Sequence, residues 1–253
     1  MAVKNNEILP VWNKNLSKFN HNEKIPRSFR MLIIGPSNCG KSVLLLKMLL
    51  YSNFIDYNNL IIFSKTIQQP EFQLIYHGFN SGLSKSTILN IFKEQDLIPN
   101  NLLISQICQN YSELYPENEN NKIKVTMSNK FQDIIPCENL DKNKKNLIVF
   151  DDCVNDKNQE VMESYFTKGR HTNCNCIYLS QSYYDLPGRS IRGNSNFFIF
   201  FKLNKRNKDN IYNDLFSNNI ERSDFNSFDN HWSIKHNYIA LETENNNLYT
   251  EII

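Results

Sequence analysis

An eight-residue run, Gly35–Ser42, constrains the fold of this chain more than any other segment. It reads G-P-S-N-C-G-K-S and fits the pattern G-x-x-x-x-G-K-[ST] without a gap. Backbone N–H groups of such a turn point inward, and the helix that follows adds the positive end of its dipole, so the turn binds phosphate. The chain has only seven glycines, so chance rarely places two of them at this spacing. The run is predicted to bind the phosphates of a nucleotide.

The segments on either side of the run support this prediction. Phe29–Ile34 is apolar and predicts a buried strand, and Lys41–Tyr51 has apolar residues at helical spacing. A strand before the loop and a helix after it are the context that the motif requires. Lys41 is expected to reach the β- and γ-phosphates, and the Ser42 hydroxyl to ligate Mg²⁺. The predicted nucleotide-binding residues are Gly35, Pro36, Ser37, Asn38, Cys39, Gly40, Lys41, Ser42 and Val43.

Two adjacent carboxylates follow another apolar run. Leu147–Phe150 predicts a buried strand whose carboxyl end delivers Asp151 and Asp152, and ligands of parallel sheets bind at that edge. Asp151 is predicted to hold Mg²⁺ opposite Ser42. Asp152 is predicted to accept a proton from the attacking water or to orient it. The alternative is that both aspartates only begin the next loop.

A third strand, Cys176–Ser180, ends at Gln181. If the three strands are neighbours, the Gln181 amide faces the γ-phosphate or the lytic water, whereas the alternative is an ordinary polar residue at a strand end.

Arg170 precedes this strand and should lie at the opposite edge of the sheet. It is predicted to act on a neighbouring subunit's nucleotide, although a cation at a helix C-terminus can also serve the helix dipole. Arg192, after Gln181, competes for the same role.

The remaining patterns predict an α/β fold with a mostly parallel sheet covered by helices on both faces. Residues 1–28 are polar and predict an N-terminal arm before a single domain, 29–253. Further strands are predicted at Leu60–Phe63, Ile123–Met127 and Phe197–Phe201, and a closing C-terminal β-hairpin at Tyr238–Leu241 and Leu248–Ile252. Helices are predicted at Pro70–Phe79, Ser86–Lys93, Leu102–Tyr115, Gln159–Lys168 and Lys205–Phe216.

Composition narrows the possible partners only a little. A hydrophobic fraction of 40% can fill a core and argues against global disorder. The formal charge of +2 neither requires nor excludes DNA as a partner. No apolar stretch approaches the roughly 20 residues that a membrane helix needs, so no membrane insertion is expected. The basic group Lys202, Lys205, Arg206 and Lys208 is either a DNA contact or a solvated face.

Three stretches together resemble a known family: Phe29–Ser42, Leu147–Asp152 (LIVFDD) and Lys168–Asn194. They are similar to the FtsK/HerA superfamily of pumping ATPases, and most to the poxvirus-type genome-packaging ATPases of large DNA viruses, virophages and Maverick/Polinton-like elements. The resemblance implies a RecA-like P-loop core, ATP and Mg²⁺ as cofactors, and Gln181 as γ-phosphate sensor. It implies Arg170 as an arginine finger supplied in trans.

The resemblance also implies a setting for the protein. A packaging ATPase of this type forms a ring-shaped homo-oligomer that pushes double-stranded DNA into a capsid, with capsid or portal-vertex proteins as partners. The expected location is the host cytoplasm or a viral factory, with association with the virion as an alternative.

Two other functions remain open at this stage. A small-molecule or nucleoside kinase would use Asp151 or Asp152 near an acceptor, with Arg189 and Arg192 in a closing lid. A nucleotide-gated scaffold would bind ATP and act by oligomerising. A signalling GTPase would need an N-K-x-D stretch, and Asn204–Asn207 lacks its aspartate.

Overall fold

The computed structural model describes residues 19–94, 101–114, 123–154 and 159–253. Its strands are β1 (Arg30–Ile34), β2 (Asn59–Ser64), β3 (Lys124–Ser128), β4 (Asn146–Asp151), β5 (Cys174–Ser180), β6 (Phe197–Phe201), β7 (Tyr238–Glu242) and β8 (Asn247–Tyr249). Its helices are α1 (Lys41–Leu50), α2 (Pro70–Asn80), α3 (Lys85–Glu94), α4 (Asn101–Leu114), α5 (Gln159–Lys168), α6 (Lys205–Ile211) and α7 (Arg222–Trp232).

The strands form one sheet of eight in the order β3-β2-β4-β5-β1-β6-β7-β8. The first six strands along the chain are parallel to one another. Strand β7 runs antiparallel to β6, and β8 antiparallel to β7. This confirms the predicted α/β class and the closing hairpin, although β8 ends at Tyr249 rather than at Ile252.

Each central strand is apolar on both of its faces. In β1, Met31 and Ile33 enter one buried cluster and Leu32 and Ile34 enter the other. The first cluster lies under α1 to α4, and the second lies under α5 to α7. A sheet buried on both sides needs continuous apolar strands rather than alternating ones, so the apolar runs in the sequence follow from this architecture.

The structure differs from the sequence-based prediction beyond β6. The helix predicted over Lys205–Phe216 changes after Ile211 into a π-helical turn, Tyr212–Phe216. Helix α7 was not predicted, although Phe225, Phe228 and Trp232 recur at helical spacing and pack against the second cluster.

The N-terminal region is described only in part. Residues 1–18 of the predicted arm, and Tyr115 at the end of a predicted helix, lie outside the described residues. Within the arm, Ile25 is buried in the core and the Asn22 N–H donates to the Phe54 carbonyl. Within the described segments, no helix combines the length and the apolar character that a bilayer crossing demands.

Replacing Phe150 by alanine should test the core beneath the second helix layer. The Phe150 ring is fully buried and lies 5.7 Å from the Tyr165 ring and 5.8 Å from the Tyr178 ring, between centroids. Its loss leaves a cavity and should lower the free energy of unfolding by about 3–5 kcal/mol, measured by urea denaturation. Ile234→Ala, at a side chain that is 60% exposed, should change it little. Equal effects of the two changes would contradict this description of the core.

Candidate nucleotide-binding site

Three neighbouring strands bring the predicted residues to one edge of the sheet. Strand β5 lies between β4 and β1. The Gly35 N–H donates to the Ser180 carbonyl at 3.1 Å, and Asp151 is in register with Leu179. A cleft of about 570 Å³ opens at this edge. Its lining includes Ser37, Asn38, Gly40, Lys41, Ser42, Val43, Asp151, Asp152 and Gln181. The structure therefore places Ser42 and Asp151 on one cavity.

The phosphate loop depends on conformations that favour glycine and asparagine. Gly40 has φ 108° and Asn38 has φ 60°, both in the left-handed region. Gly35 is required for a different reason: a Cβ there would lie 2.7 Å from Phe201 Cβ and 2.7 Å from Cys39 Sγ. The loop is thus packed directly on the end of β6, and α1 begins immediately after it at Lys41.

The Lys41 ammonium group lies at the mouth of the loop. Its Nζ donates to the Gly35 carbonyl at 2.6 Å and to the Pro36 carbonyl at 2.9 Å. The Ser42 hydroxyl donates to Gln69 Oε1 at 3.2 Å. Both side chains are half-buried and face the cleft, where a phosphate oxygen can replace a carbonyl or amide oxygen as the acceptor.

Asp151 is the buried acid of the pair and is only 7% exposed. Its Oδ2 accepts from Ser64 Oγ at 2.7 Å and from Thr66 Oγ1 at 3.1 Å. Burial raises the pKa of the Asp151 carboxyl above its usual value, and these two hydrogen bonds oppose that rise. The Asp151 carboxylate and the Ser42 hydroxyl are hard oxygen ligands that suit Mg²⁺. A divalent cation would also offset the cost of burying the carboxylate, so these residues fit the ion.

Asp152 is exposed and has a left-handed backbone with φ 53°. Its N–H donates to the Leu179 carbonyl at 3.2 Å. Aspartate tolerates this region better than most residues, and such conformations are concentrated at functional sites. Both carboxylates line the cleft, but Asp151 is buried and held by hydroxyl groups, whereas Asp152 is exposed.

Gln181 is exposed at the cleft directly beyond β5. The strand ends there in a local turn, because the Ser180 hydroxyl donates to the Ser182 carbonyl at 2.8 Å. This turn holds the base of the Gln181 side chain beside the phosphate loop, as the sequence predicted.

Arg170 lies at the far end of the same strand, in a 3₁₀ turn, Gly169–Thr172, that precedes β5. It is exposed, and its Nε donates to His171 Nε2 at 3.3 Å. The seven residues of β5, at about 3.3 Å per residue, place it more than ~20 Å from Gln181. Arg170 therefore lies far from the cleft of its own chain.

Arg192, the competing candidate, is engaged within its own chain. Its guanidinium lies 4.9 Å from the Tyr183 ring centre and 4.3 Å from the Tyr184 ring centre. It also pairs with Asp214 at 3.0 Å, and its side chain is 17% exposed. An arginine finger must be free to reach another subunit, so this packing favours Arg170.

The predicted site residues did not include several that line the cleft. Among these, Thr66, Gln69 and Glu71 follow β2, and His236 precedes β7. The first three could have been found, because β2 was predicted to be a parallel strand and should end at the same edge. His236 could not, since its position depends on the antiparallel pairing of β7 with β6.

The family model described as "Poxvirus A32 protein" matches residues 107–235, just over half of the chain. The chain belongs to the poxvirus A32 protein family. The matched region includes Asp151, Gln181 and Arg170 but begins beyond Gly35–Ser42. The phosphate loop therefore supports a nucleotide site independently of the family match. Membership confirms the predicted resemblance to poxvirus-type packaging ATPases. A comparison with curated proteins found no match.

Solved structures from archaeal viruses share the fold of this A32-family chain. The genome packaging NTPase B204 from Sulfolobus turreted icosahedral virus 2, in complex with AMP, matches at 10% identity and a TM-score of 0.52, over 90% of this chain and 100% of that one. The complex of the same protein with AMPPCP also gives 10% and 0.52, with 90% and 100% covered. B204 described as the DNA-packaging ATPase of Sulfolobus turreted icosahedral virus gives 12% and 0.51, over 88% and 97%. These likenesses confirm the predicted P-loop ATPase fold.

Replacing Asp151 by asparagine should make the protein more stable and less able to bind Mg²⁺-nucleotide. Because burial raises the folded-state pKa of Asp151, the ionised carboxylate disfavours folding at neutral pH, and this cost is relieved as the pH falls through the folded pKa. The asparagine side chain would keep an oxygen for the two hydroxyl donors without the charge. The thermal unfolding midpoint should rise by about 2–5 °C at neutral pH.

The pH dependence and a matched change at Asp152 complete this test. The gain from Asp151→Asn should shrink as the pH falls below the raised folded value and disappear below the unfolded value, where the wild-type carboxyl is also neutral. Asp152→Asn, at the exposed neighbour, should change the midpoint little. A lower midpoint for Asp151→Asn at neutral pH would contradict the assigned cost of burial.

Proposed function

We propose that this protein is the ATP-hydrolysing subunit of a motor that moves double-stranded viral DNA into a capsid. The observation that carries the proposal is the single cleft that brings Lys41, Ser42, Asp151, Asp152 and Gln181 together, in a member of the poxvirus A32 family. The names of the B204 structures, a genome packaging NTPase with bound nucleotides, support the same function.

Each residue of the cleft has a proposed task in ATP hydrolysis. Lys41 leaves the loop carbonyls to bind the β- and γ-phosphates. Ser42 and Asp151 would hold Mg²⁺, which would neutralise phosphate charge. The exposed Asp152 carboxylate orients the attacking water or accepts its proton. The Gln181 amide donates to the γ-phosphate and accepts from the water, because a neutral amide carries both donor and acceptor groups.

We propose that the motor is a ring in which Arg170 acts on the adjacent subunit. Arg170 and the cleft lie at opposite edges of the sheet, so only a second copy can bring them together. A contact between two different edges of identical subunits is heterologous and closes into a ring when the rotation allows it. Arg170 would then stabilise the charge on the neighbour's γ-phosphate.

The DNA contact is proposed for the basic segment that follows β6. Lys202, Lys205 and Arg206 are exposed there, whereas Lys208 is paired with Asp229 at 2.6 Å. The three exposed cations suit a phosphate backbone. A net charge of +2 per chain is sufficient when several subunits surround one duplex.

We further propose capsid or portal-vertex proteins as partners and the host cytoplasm or a viral factory as the location.

The kinase alternative needs arginines that can close over a substrate. Arg192 is instead held by two tyrosine rings and by Asp214, which disfavours one of the two lid candidates.

The central test is the rate of phosphate release from ATP with and without double-stranded DNA. We expect DNA to stimulate the wild-type rate. Lys41→Ala should reduce the rate by about 10²–10³-fold under both conditions, since it removes the charge that binds the transferred phosphate. The reactions are followed by a coupled phosphate assay in excess Mg²⁺.

The controls separate the motor from its alternatives. Transfer of phosphate to a small acceptor would support the kinase, and nucleotide binding without turnover would support the scaffold. Substituting Lys202, Lys205 and Arg206 by alanine should reduce the DNA stimulation and leave the DNA-free rate unchanged. Stimulation that survives this triple change would move the DNA contact elsewhere.

A subunit-mixing experiment tests the role of Arg170 in trans. Arg170→Ala and Asp152→Asn chains should each be nearly inactive alone. Mixed rings should regain part of the activity, because some interfaces pair an intact Asp152 with an intact Arg170. Lys168→Ala, which removes an exposed cation at the end of α5, serves as a control and should retain activity without mixing. The absence of any recovery would rule out the assignment of Arg170.

A further inference from the structure

The order of the strands determines which way a bound nucleotide must point. Gln181 and Asp151 lie on the β5 and β4 side of β1, so the γ-phosphate end faces that side. The nucleoside must therefore leave the phosphate loop on the other side, where β6 and β7 lie. Because β7 is antiparallel to β6, the residues just before β7 are at the same edge as the loop.

His236 is the residue that the structure places there. It lines the cleft, and its Nδ1 lies 2.9 Å from the Cys39 carbonyl of the phosphate loop. A carbonyl can only accept, so Nδ1 carries the hydrogen that His236 donates to the loop. His236 has φ 69°, and non-glycine residues in this region are often part of ligand clamps.

Behind His236 lies a second cavity of about 400 Å³ that shares this residue with the cleft. Its walls combine Leu44, Tyr51 and Tyr238 with the polar residues Lys47, His231, Asn237, Thr250 and Glu251. Aromatic rings with polar groups beside them suit a nucleobase, which can stack on a ring and form hydrogen bonds through its edge.

The amide of Asn237 is oriented by a neighbour. His231 donates from Nε2 to the Tyr238 carbonyl at 3.0 Å, so its Nδ1 is the acceptor for the Asn237 amide nitrogen at 3.4 Å. The Asn237 amide oxygen then remains as an acceptor in the cavity. The Asn237 amide oxygen and the Glu251 carboxylate are acceptors that suit the exocyclic amino group of a nucleobase such as adenine.

We propose that this second cavity holds the nucleoside half of the bound nucleotide, and that His236 contacts the base where the two cavities meet. The inference rests on the proposed nucleotide site but not on DNA or on packaging. It gives His236 two contacts, one with the phosphate loop and one with the base.

The test compares ATP with inorganic tripolyphosphate, which has the phosphates but no base, by titration calorimetry on the full chain. His236→Asn is the informative variant, because asparagine adopts left-handed backbone readily and its amide N–H can donate to the Cys39 carbonyl. We expect this variant to bind ATP roughly tenfold more weakly, the scale of one base–aromatic contact. Tripolyphosphate binding should stay within about twofold of wild type.

The other outcomes each have a distinct meaning. An equal loss of ATP and tripolyphosphate binding would show that His236 only supports the loop, and unchanged ATP binding would place the nucleoside elsewhere; both overturn the inference. Lys41→Ala should weaken both ligands and confirm that the phosphates are measured. If the wild-type chain binds neither ligand, the proposed nucleotide site fails as well, which is a different result from a site that binds ATP without using His236.

Discussion

The side-by-side pairing of β4, β5 and β1 is the constraint on which the rest of the site depends. The register pairs Ile34 with Ser180 and Asp151 with Leu179, so three separate sequence segments deliver their polar residues to one edge. The hydrogen bond from the Gly35 N–H to the Ser180 carbonyl extends that pairing into the phosphate loop itself. The apolar layers on both faces hold the strands in this register, and the cleft follows from it.

Much of this arrangement could be predicted from the sequence because it is local. The phosphate loop, the acids after β4 and the glutamine after β5 each follow a short apolar run, and a parallel sheet has only one edge where such residues meet. Helix α7 and His236 were missed for different reasons. Phe225, Phe228 and Trp232 of α7 have helical spacing, but the residues between them are mostly Asn, Ser and Asp, which have low helix propensity. The position of His236 depends on how a distant antiparallel strand pairs.

The site is built partly at the expense of stability. Asp151 is buried with two hydroxyl groups against Oδ2, and Asn38, Asp152 and His236 hold left-handed backbone that most residues avoid. These features surround one cavity, whereas the strands beneath it are mostly apolar. Proteins commonly concentrate such costs where a ligand can offset them.

The tight packing of Gly35 against Phe201 has a mechanical consequence. Phe201 is the last residue of β6, and the basic segment begins with the next residue, Lys202. A side chain on Gly35 would clash with that strand end, so the loop backbone lies directly against Phe201. A displacement of the loop toward β6 would therefore press first on the residue that precedes the basic segment.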